Sequence, residues 1–160
     1  MRRIISLPVL LGAGLVLAGC TAGGSSGGPA PDACDVTVVV DFGVLDEPAV
    51  EECAAAGPAL DVLEAAGVTT EGTADYGDAV VCRVNGRPSP DEQVTIPGEA
   101  SFVESCATLN AVAYWALWVK PSSDAEWEYA QEGLNTLELD VGQSVGLVYT
   151  IGTDSVPPEG

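Results

Sequence analysis

The chain has 160 residues, with 24 Asp and Glu against five Lys and Arg, no histidine, and a formal net charge of −19. Nucleic-acid binding needs clustered Lys or Arg to neutralise phosphates, so nucleic acid is excluded as a partner, and an anionic membrane surface would repel this body. The absence of histidine removes the usual proton shuttle at neutral pH, the Ser-His-Asp and Cys-His nucleophile arrangements, and the imidazole ligands of most catalytic zinc sites.

Residues 1–20 read MRRIISLPVLLGAGLVLAGC: two arginines, an apolar run from Ile4 to Leu17, then Leu17-Ala18-Gly19 directly before Cys20. This is the pattern of an export signal. Small residues ahead of a cysteine match the bacterial lipobox, in which that cysteine becomes the acylated first residue of the mature chain, and the apolar run is short for a bilayer span. The expectation is a signal peptide over 1–19 and a lipid anchor at Cys20, with the body on the extracytoplasmic face of the cell membrane. The stretch TAGGSSGGPAPDA, residues 21–33, has no large apolar residue and completes a flexible tether over 20–33. Removing the signal also removes Arg2 and Arg3. Arg83, Arg87 and Lys120 then face 24 acidic residues, a formal net charge of −21. Residues 34–152 have the length for one domain with one core, followed by a tail over 153–160. The scattered acidity fits colloidal solubility better than a specific cation site.

The body keeps Cys34, Cys53, Cys82 and Cys106, and an even number in an exported protein suggests two disulfides. Three pairings are possible and the sequence does not choose among them. The pairing favoured here is Cys82 with Cys106, leaving Cys34 to Cys53. A metal site is the weaker rival, since there is no CxxC spacing and no histidine.

Along the body, VTVVVDF (36–42) is a β-branched run ending at Gly43 and predicts the first, central strand. PALDVLEAA, between Gly57 and Gly67, puts Pro58 at a helix start, Leu60 and Leu63 on one face, and Gly67 where a left-handed cap belongs. AVVCRVNGRP (79–88) predicts a strand followed by a tight turn at Asn85-Gly86, because both positions accept positive φ. Residues 89–105 read as a loop. Ala111 to Val119 is a strong strand and Pro121 to Asp124 a turn, after which Trp127 and Tyr129 share one face of a returning strand. Leu137 to Leu139 is extended, Asp140 to Gln143 turns, and Val145, Leu147, Tyr149 and Ile151 alternate along a half-buried last strand. No repeat appears at solenoid periods. The fold class is α+β: a small mixed or antiparallel sheet with one main helix packed on it.

Little chemistry is visible. Asp124, Glu126 and Glu128 stand beside the tryptophans and two carboxylates can cleave glycosides, but acidic residues are too plentiful for proximity to count. The calcium loop D-x-[DN]-x-[DN]-G is absent, neither Asp32 with Asp35 nor Asp75 with Asp78 supplies six oxygen ligands, and there is no phosphate-cradling glycine motif. No metal or other cofactor is expected, nor catalysis.

The informative stretch is AYWALWVKPSSDAEWEYAQEG (113–133), which holds all three tryptophans. Pleating puts Tyr114, Ala116 and Trp118 on one face and Ala113, Trp115, Leu117 and Val119 on the other, which reads as core. If Trp127 and Tyr129 pair with the first face, Tyr114, Trp118, Trp127 and Tyr129 form a partly exposed aromatic platform; if with the second, they complete the core as a cross-strand ladder.

In order, VVVDFG (38–43), LEAAGV (63–68), VVCRVNGRP (80–88), AYWALWV (113–119), EWEYAQEG (126–133) and DVGQSVGLVY (140–149) resemble exported actinobacterial proteins with a transcobalamin-like C-terminal domain. The resemblance covers most of the body and implies a small β-grasp-like sheet with a helix. In the vitamin carriers of that family the domain closes over cobalamin beside a helical domain, which has no counterpart in this sequence. What the resemblance implies is a lipid-anchored, non-catalytic recognition module. It would bind a small organic ligand such as a corrinoid, or dock on a membrane uptake system, through Tyr114, Trp118, Trp127 and Tyr129. The competing expectation is an envelope domain for protein contact or spacing, with no small-molecule ligand.

Overall fold

The computed structural model describes residues 34–152 and 155–159. The signal peptide, the Cys20 anchor and the tether lie outside the described residues.

The β-branched run Val36–Asp41 forms strand β1, with Val36, Val38 and Val40 fully buried. Alternation alone would leave one face of such a strand wet, but Val39 is also buried, as suits a central strand. A 3-10 turn over Gly43–Leu45 leads into β2 (Val50–Ala54), which returns antiparallel beside β1, Val36 opposite Ala54. The sequence reading missed β2 because its VEECA is largely exposed; Glu51 and Glu52 discourage pairing along this sheet edge.

The short strand β3 (Gly57–Pro58) runs directly into helix α1 (Ala59–Ala65). No side chain caps this helix. The Ala59 amide donates instead to the Leu137 carbonyl at 2.9 Å, and the Gly67 and Val68 amides donate to Glu64 and Leu63 at the far end, with Gly67 at φ 74° as expected. The buried face is Ala59, Val62 and Leu63, the i, i+3, i+4 stripe; Leu60 sits at its margin rather than at its centre.

Strands β4 (Thr70–Thr73) and β5 (Gly77–Val84) pair antiparallel as a separate ribbon, and Asn85-Gly86 makes the expected reversal at φ 50° and 75°, closed by Val84 and Arg87. The segment read as a loop over 89–105 contains a small ribbon, β6 (Gln93–Val94) with β7 (Phe102–Val103). Val94 and Ile96 are buried there and Phe102 packs partly buried on the core, but they are too scattered for a two-residue period to show.

Strand β8 (Ala113–Lys120), the two-residue β9 (Glu128–Tyr129) and β11 (Gln143–Ile151) complete the main sheet, in the order β2-β1-β11-β8-β9; β10 (Glu138–Leu139) pairs with β3. The outer pairs are antiparallel, while β1 and β11 lie parallel at the centre, Val38 opposite Val145. The architecture is therefore a mixed sheet with one helix, mostly strands. The main core lies between the sheet and α1: Val36, Val38, Val40, Val62, Leu63, Trp115, Leu147 and Tyr149.

The half-buried reading of the last strand is corrected: every residue from Val145 to Thr150 is buried. Its second face, Gly146, Val148 and Thr150, is covered by the aromatic residues described below and by the C-terminal tail.

Cys34 is bonded to Cys53 and Cys82 to Cys106. The first bridge fastens the start of β1 to β2 and the second fastens β5 to the segment after β7. Beside the second, the buried Arg83 guanidinium donates to the Pro88 carbonyl at 2.8 Å and the Glu104 carbonyl at 2.7 Å and pairs with Glu71. Arg87 likewise ties Glu92, Glu47 and the Leu45 carbonyl together. Among the described residues no helix is long and apolar enough to cross a membrane, and two disulfides fit an oxidising, extracytoplasmic compartment.

Candidate functional site

Strand β8 divides the aromatic residues. Trp115 turns into the main core, where its ring meets Phe42 at 5.4 Å and Tyr149 at 5.3 Å, both edge-on, and its indole N–H donates to the Arg87 carbonyl at 3.2 Å. Tyr114, Ala116 and Trp118 point to the opposite face. There Trp118 lies opposite Tyr129 of β9 on one side and Gly146 of β11 on the other, with Ala116 beside Val148. Trp118, Ala116 and Val148 form a second, smaller apolar cluster against which Tyr114 and Trp127 pack. The hairpin thus pairs in the platform arrangement: Tyr114, Trp118, Trp127 and Tyr129 share the face away from the main core.

Their exposure differs. Tyr129 is 41% exposed and its ring tilts against Trp118 with centroids 4.9 Å apart. Tyr114 and Trp127 are half-buried, and Lys120 places its ammonium 5.8 Å from the Trp127 ring centre. Trp118, expected to supply stacking surface, is only 8% exposed. With Tyr129 and Trp127 closing over it and the small Ala116 and Gly146 beneath, it forms the floor of the face rather than its contact surface.

Gly146 is the position on which this floor depends. A Cβ there would come within 2.4 Å of the Pro158 ring and 3.2 Å of the Trp127 ring, so only glycine lets both rings approach the sheet. Pro158 is buried, and Ser155 shares a hydroxyl contact with Thr150 at 3.2 Å. The tail read as an appendage over 153–160 therefore returns, at 155–159, to the aromatic face. The sequence reading missed Gly146, Val148, Lys120 and Pro158 as parts of the site. A glycine amid large residues of a strand was the available signal; nothing local marks Pro158.

Among the described residues the indole nitrogens of Trp118 and Trp127 are buried without a hydrogen-bond acceptor, a state that buried donors seldom occupy. The Tyr129 phenol is pushed up to about 12, chiefly by burial and then by the neighbouring Tyr114 hydroxyl. On the core side, the Tyr149 hydroxyl is also buried and unpartnered, and burial raises its pKa still further. In the native state Tyr129 keeps a proton that the unfolded chain releases at its ordinary value near ~10, so stability should fall with rising pH across about pH 10 to 12. Absorbance of tyrosinate should correspondingly rise late for Tyr129 in an alkaline titration, compared with Tyr129→Phe; an ordinary midpoint would mean that the ring is open to water.

Between Tyr114 and Tyr129 and the main-core side of β8 lies a cavity of about 190 Å³, lined also by Trp115, Leu117, Leu134 and Leu147; neither Trp118 nor Trp127 lines it. It is smaller than the ~300–1,000 Å³ that usually encloses a whole small-molecule ligand. Asp124 and Glu126 are exposed on the hairpin, as is Glu128. Among the described residues, the one group of side chains within metal-ligand reach of each other is Glu71, Cys82 and Cys106, and both sulfurs there are committed to the disulfide. The face can stack, fill with apolar groups and donate two indole hydrogen bonds.

Comparison with protein-family models, curated proteins and solved structures gives no match to this chain.

Proposed function

We propose that this chain is a lipid-anchored, non-catalytic recognition module on the extracytoplasmic face of the cell membrane, binding a small organic ligand or docking on a membrane uptake system through the β8–β9 face. The observation that carries the reading is a concentration of aromatic surface, with Tyr129 outward and the indole donors of Trp118 and Trp127 unsatisfied, on a body that is otherwise acidic and polar. The export signal and lipobox supply the location, and the resemblance to transcobalamin-like domains supplies the ligand class, corrinoids. The parallel pairing of first and last strands at the sheet centre, with a helix across one face, supports the β-grasp-like form of that resemblance.

Corrinoid addition should quench tryptophan fluorescence and raise the melting temperature of the full chain. At a hundredfold excess over Kd the stabilisation is about 2.7 kcal/mol. Tyr129→Ala should abolish both effects while the apo protein stays folded. Unchanged fluorescence and melting across a corrinoid panel rules out that ligand class. A second reading, an envelope domain devoted to protein contact, is favoured by the burial of Trp118 and by Pro158 covering Gly146; it predicts no response to small ligands.

A further inference from the structure

We infer that the aromatic face is a docking groove for an extended, proline-rich segment of a basic partner protein, and that residues 155–159 of this chain occupy it as a weak intramolecular stand-in. The inference rests on the proposed recognition role and names its partner.

The seat is built by four residues. Gly146 leaves an opening in the sheet surface, Trp127 walls one side of it, Trp118 lies across the sheet from Gly146 as the buried floor, and Tyr129 packs on Trp118 with its outer side in water. What fills the opening in this chain is the ring of Pro158. A pyrrolidine ring between aromatic side chains is the chemistry by which extended proline-rich segments are recognised: the ring offers a flat apolar surface, and the backbone is stiff before binding, so little entropy is lost. Such segments also carry carbonyls with no internal hydrogen-bond partner, which indole N–H groups lining a groove can satisfy.

The tail meets these requirements only in part. Pro158 is buried, but Val156, Pro157 and Glu159 remain exposed, and the indole nitrogens of Trp118 and Trp127 still lack acceptors among the described residues. A longer segment with more carbonyls would supply what the tail leaves missing.

Charge separates the tail from a true partner. The tail brings Glu159 to a hairpin that already exposes Asp124, Glu126 and Glu128, with Glu132 just beyond, on a chain of net charge −19. Among the described residues, Lys120 beside Trp127 is the one cation at the site. A segment that carries Lys or Arg between its prolines would replace repulsion by attraction on the rim, raising both encounter rate and selectivity over the acidic tail.

The test uses the full chain in detergent micelles with the heptapeptide Lys-Pro-Pro-Lys-Pro-Pro-Lys, its alanine counterpart Lys-Ala-Ala-Lys-Ala-Ala-Lys, and the acidic Glu-Pro-Pro-Glu-Pro-Pro-Glu. Tryptophan fluorescence gives the affinities and nitrogen-15 NMR follows the indole N–H signals. The basic proline peptide should bind at least tenfold more tightly than either control and shift two indole signals. Pro158→Gly, which weakens the stand-in, should tighten that binding severalfold. Gly146→Ala, whose methyl fills the seat, should weaken it tenfold or more while far-ultraviolet circular dichroism stays native. Equal binding of the alanine peptide, no saturable binding of the proline peptide, or indifference to both substitutions would overturn the inference. If the proline peptides fail while a corrinoid still quenches fluorescence in a Tyr129-dependent manner, the inference falls and the recognition role stands. If neither ligand acts, both fall.

Discussion

Reduction of both disulfides should unfold the domain under conditions where the oxidised protein is fully native. The bridges join residues 19 and 24 apart in sequence. Closing loops of that length removes unfolded-state entropy equivalent to about 3 kcal/mol each, some ~6 kcal/mol together. A domain of this size has ~5–15 kcal/mol of stability in total. The bridges also sit where the hydrophobic core reaches least. Cys34 and Cys53 fasten the exposed, acidic edge strand β2 to β1, and Cys82 with Cys106 fastens the β4–β5 ribbon to a segment whose other ties are the Arg83 hydrogen bonds and the backbone bonds from Ala74 and Asp75. In urea, with m of about 1.5–3 kcal/mol per molar, the midpoint should fall by about 2–4 M. A fall below ~0.5 M would mean that hydrogen bonding and burial hold these segments without covalent help. Replacing Cys34 and Cys53 alone by alanine should cost about half the total and leave the β8–β9 face intact.

How much of this could be read in advance follows from where each element's stabilisation originates. The strands β1, β8 and β11 are runs of β-branched and aromatic residues, so their local preference and their burial agree, and the sequence announces them. The turn at Asn85-Gly86 is equally legible because its φ values demand those residue types. Strands β2, β3 and β4 were not legible, although the extended piece at Leu137 to Leu139 that holds β10 was. They are short or polar and exist because a neighbour offers hydrogen bonds: Glu138 and Leu139 meet Pro58 and Gly57, and Thr70 meets Val84. The same division holds at the candidate site. Alternation along β8 separates Trp115 from Trp118 correctly, since pleating is local. It cannot tell that Trp118 is covered, because the cover comes from Tyr129 and Trp127 of the returning hairpin arm, while Pro158, some forty residues later, closes over the neighbouring Gly146. The half-buried reading of β11 failed for that same reason: its polar-looking face of Gly146, Val148 and Thr150 is buried by the tail and the tryptophan hairpin.

That distinction between two tryptophan environments has a measurable consequence, the second large effect expected here. Trp115→Ala should destabilise the protein by about 3–5 kcal/mol, the usual range for removing a large buried aromatic. Trp115 is 5% exposed, holds Phe42 and Tyr149 edge-on, and donates its indole N–H to the Arg87 carbonyl, so truncation leaves a void and removes one hydrogen bond to that carbonyl. The Arg87 carbonyl also accepts from Val84, which limits the polar part of the loss and places most of it in the cavity. Trp127→Ala should behave differently. That ring is half-buried on the second face, its indole donor is unpaired, and its removal relieves an unsatisfied group while exposing the Gly146 seat. Its cost should stay below about 1.5 kcal/mol, in the range of ordinary substitutions, while ligand or peptide binding at the face is lost. Urea melts of the two variants side by side decide the matter. If Trp127→Ala costs as much as Trp115→Ala and leaves binding untouched, the second face is simply a second core, and the aromatic hairpin serves folding rather than recognition.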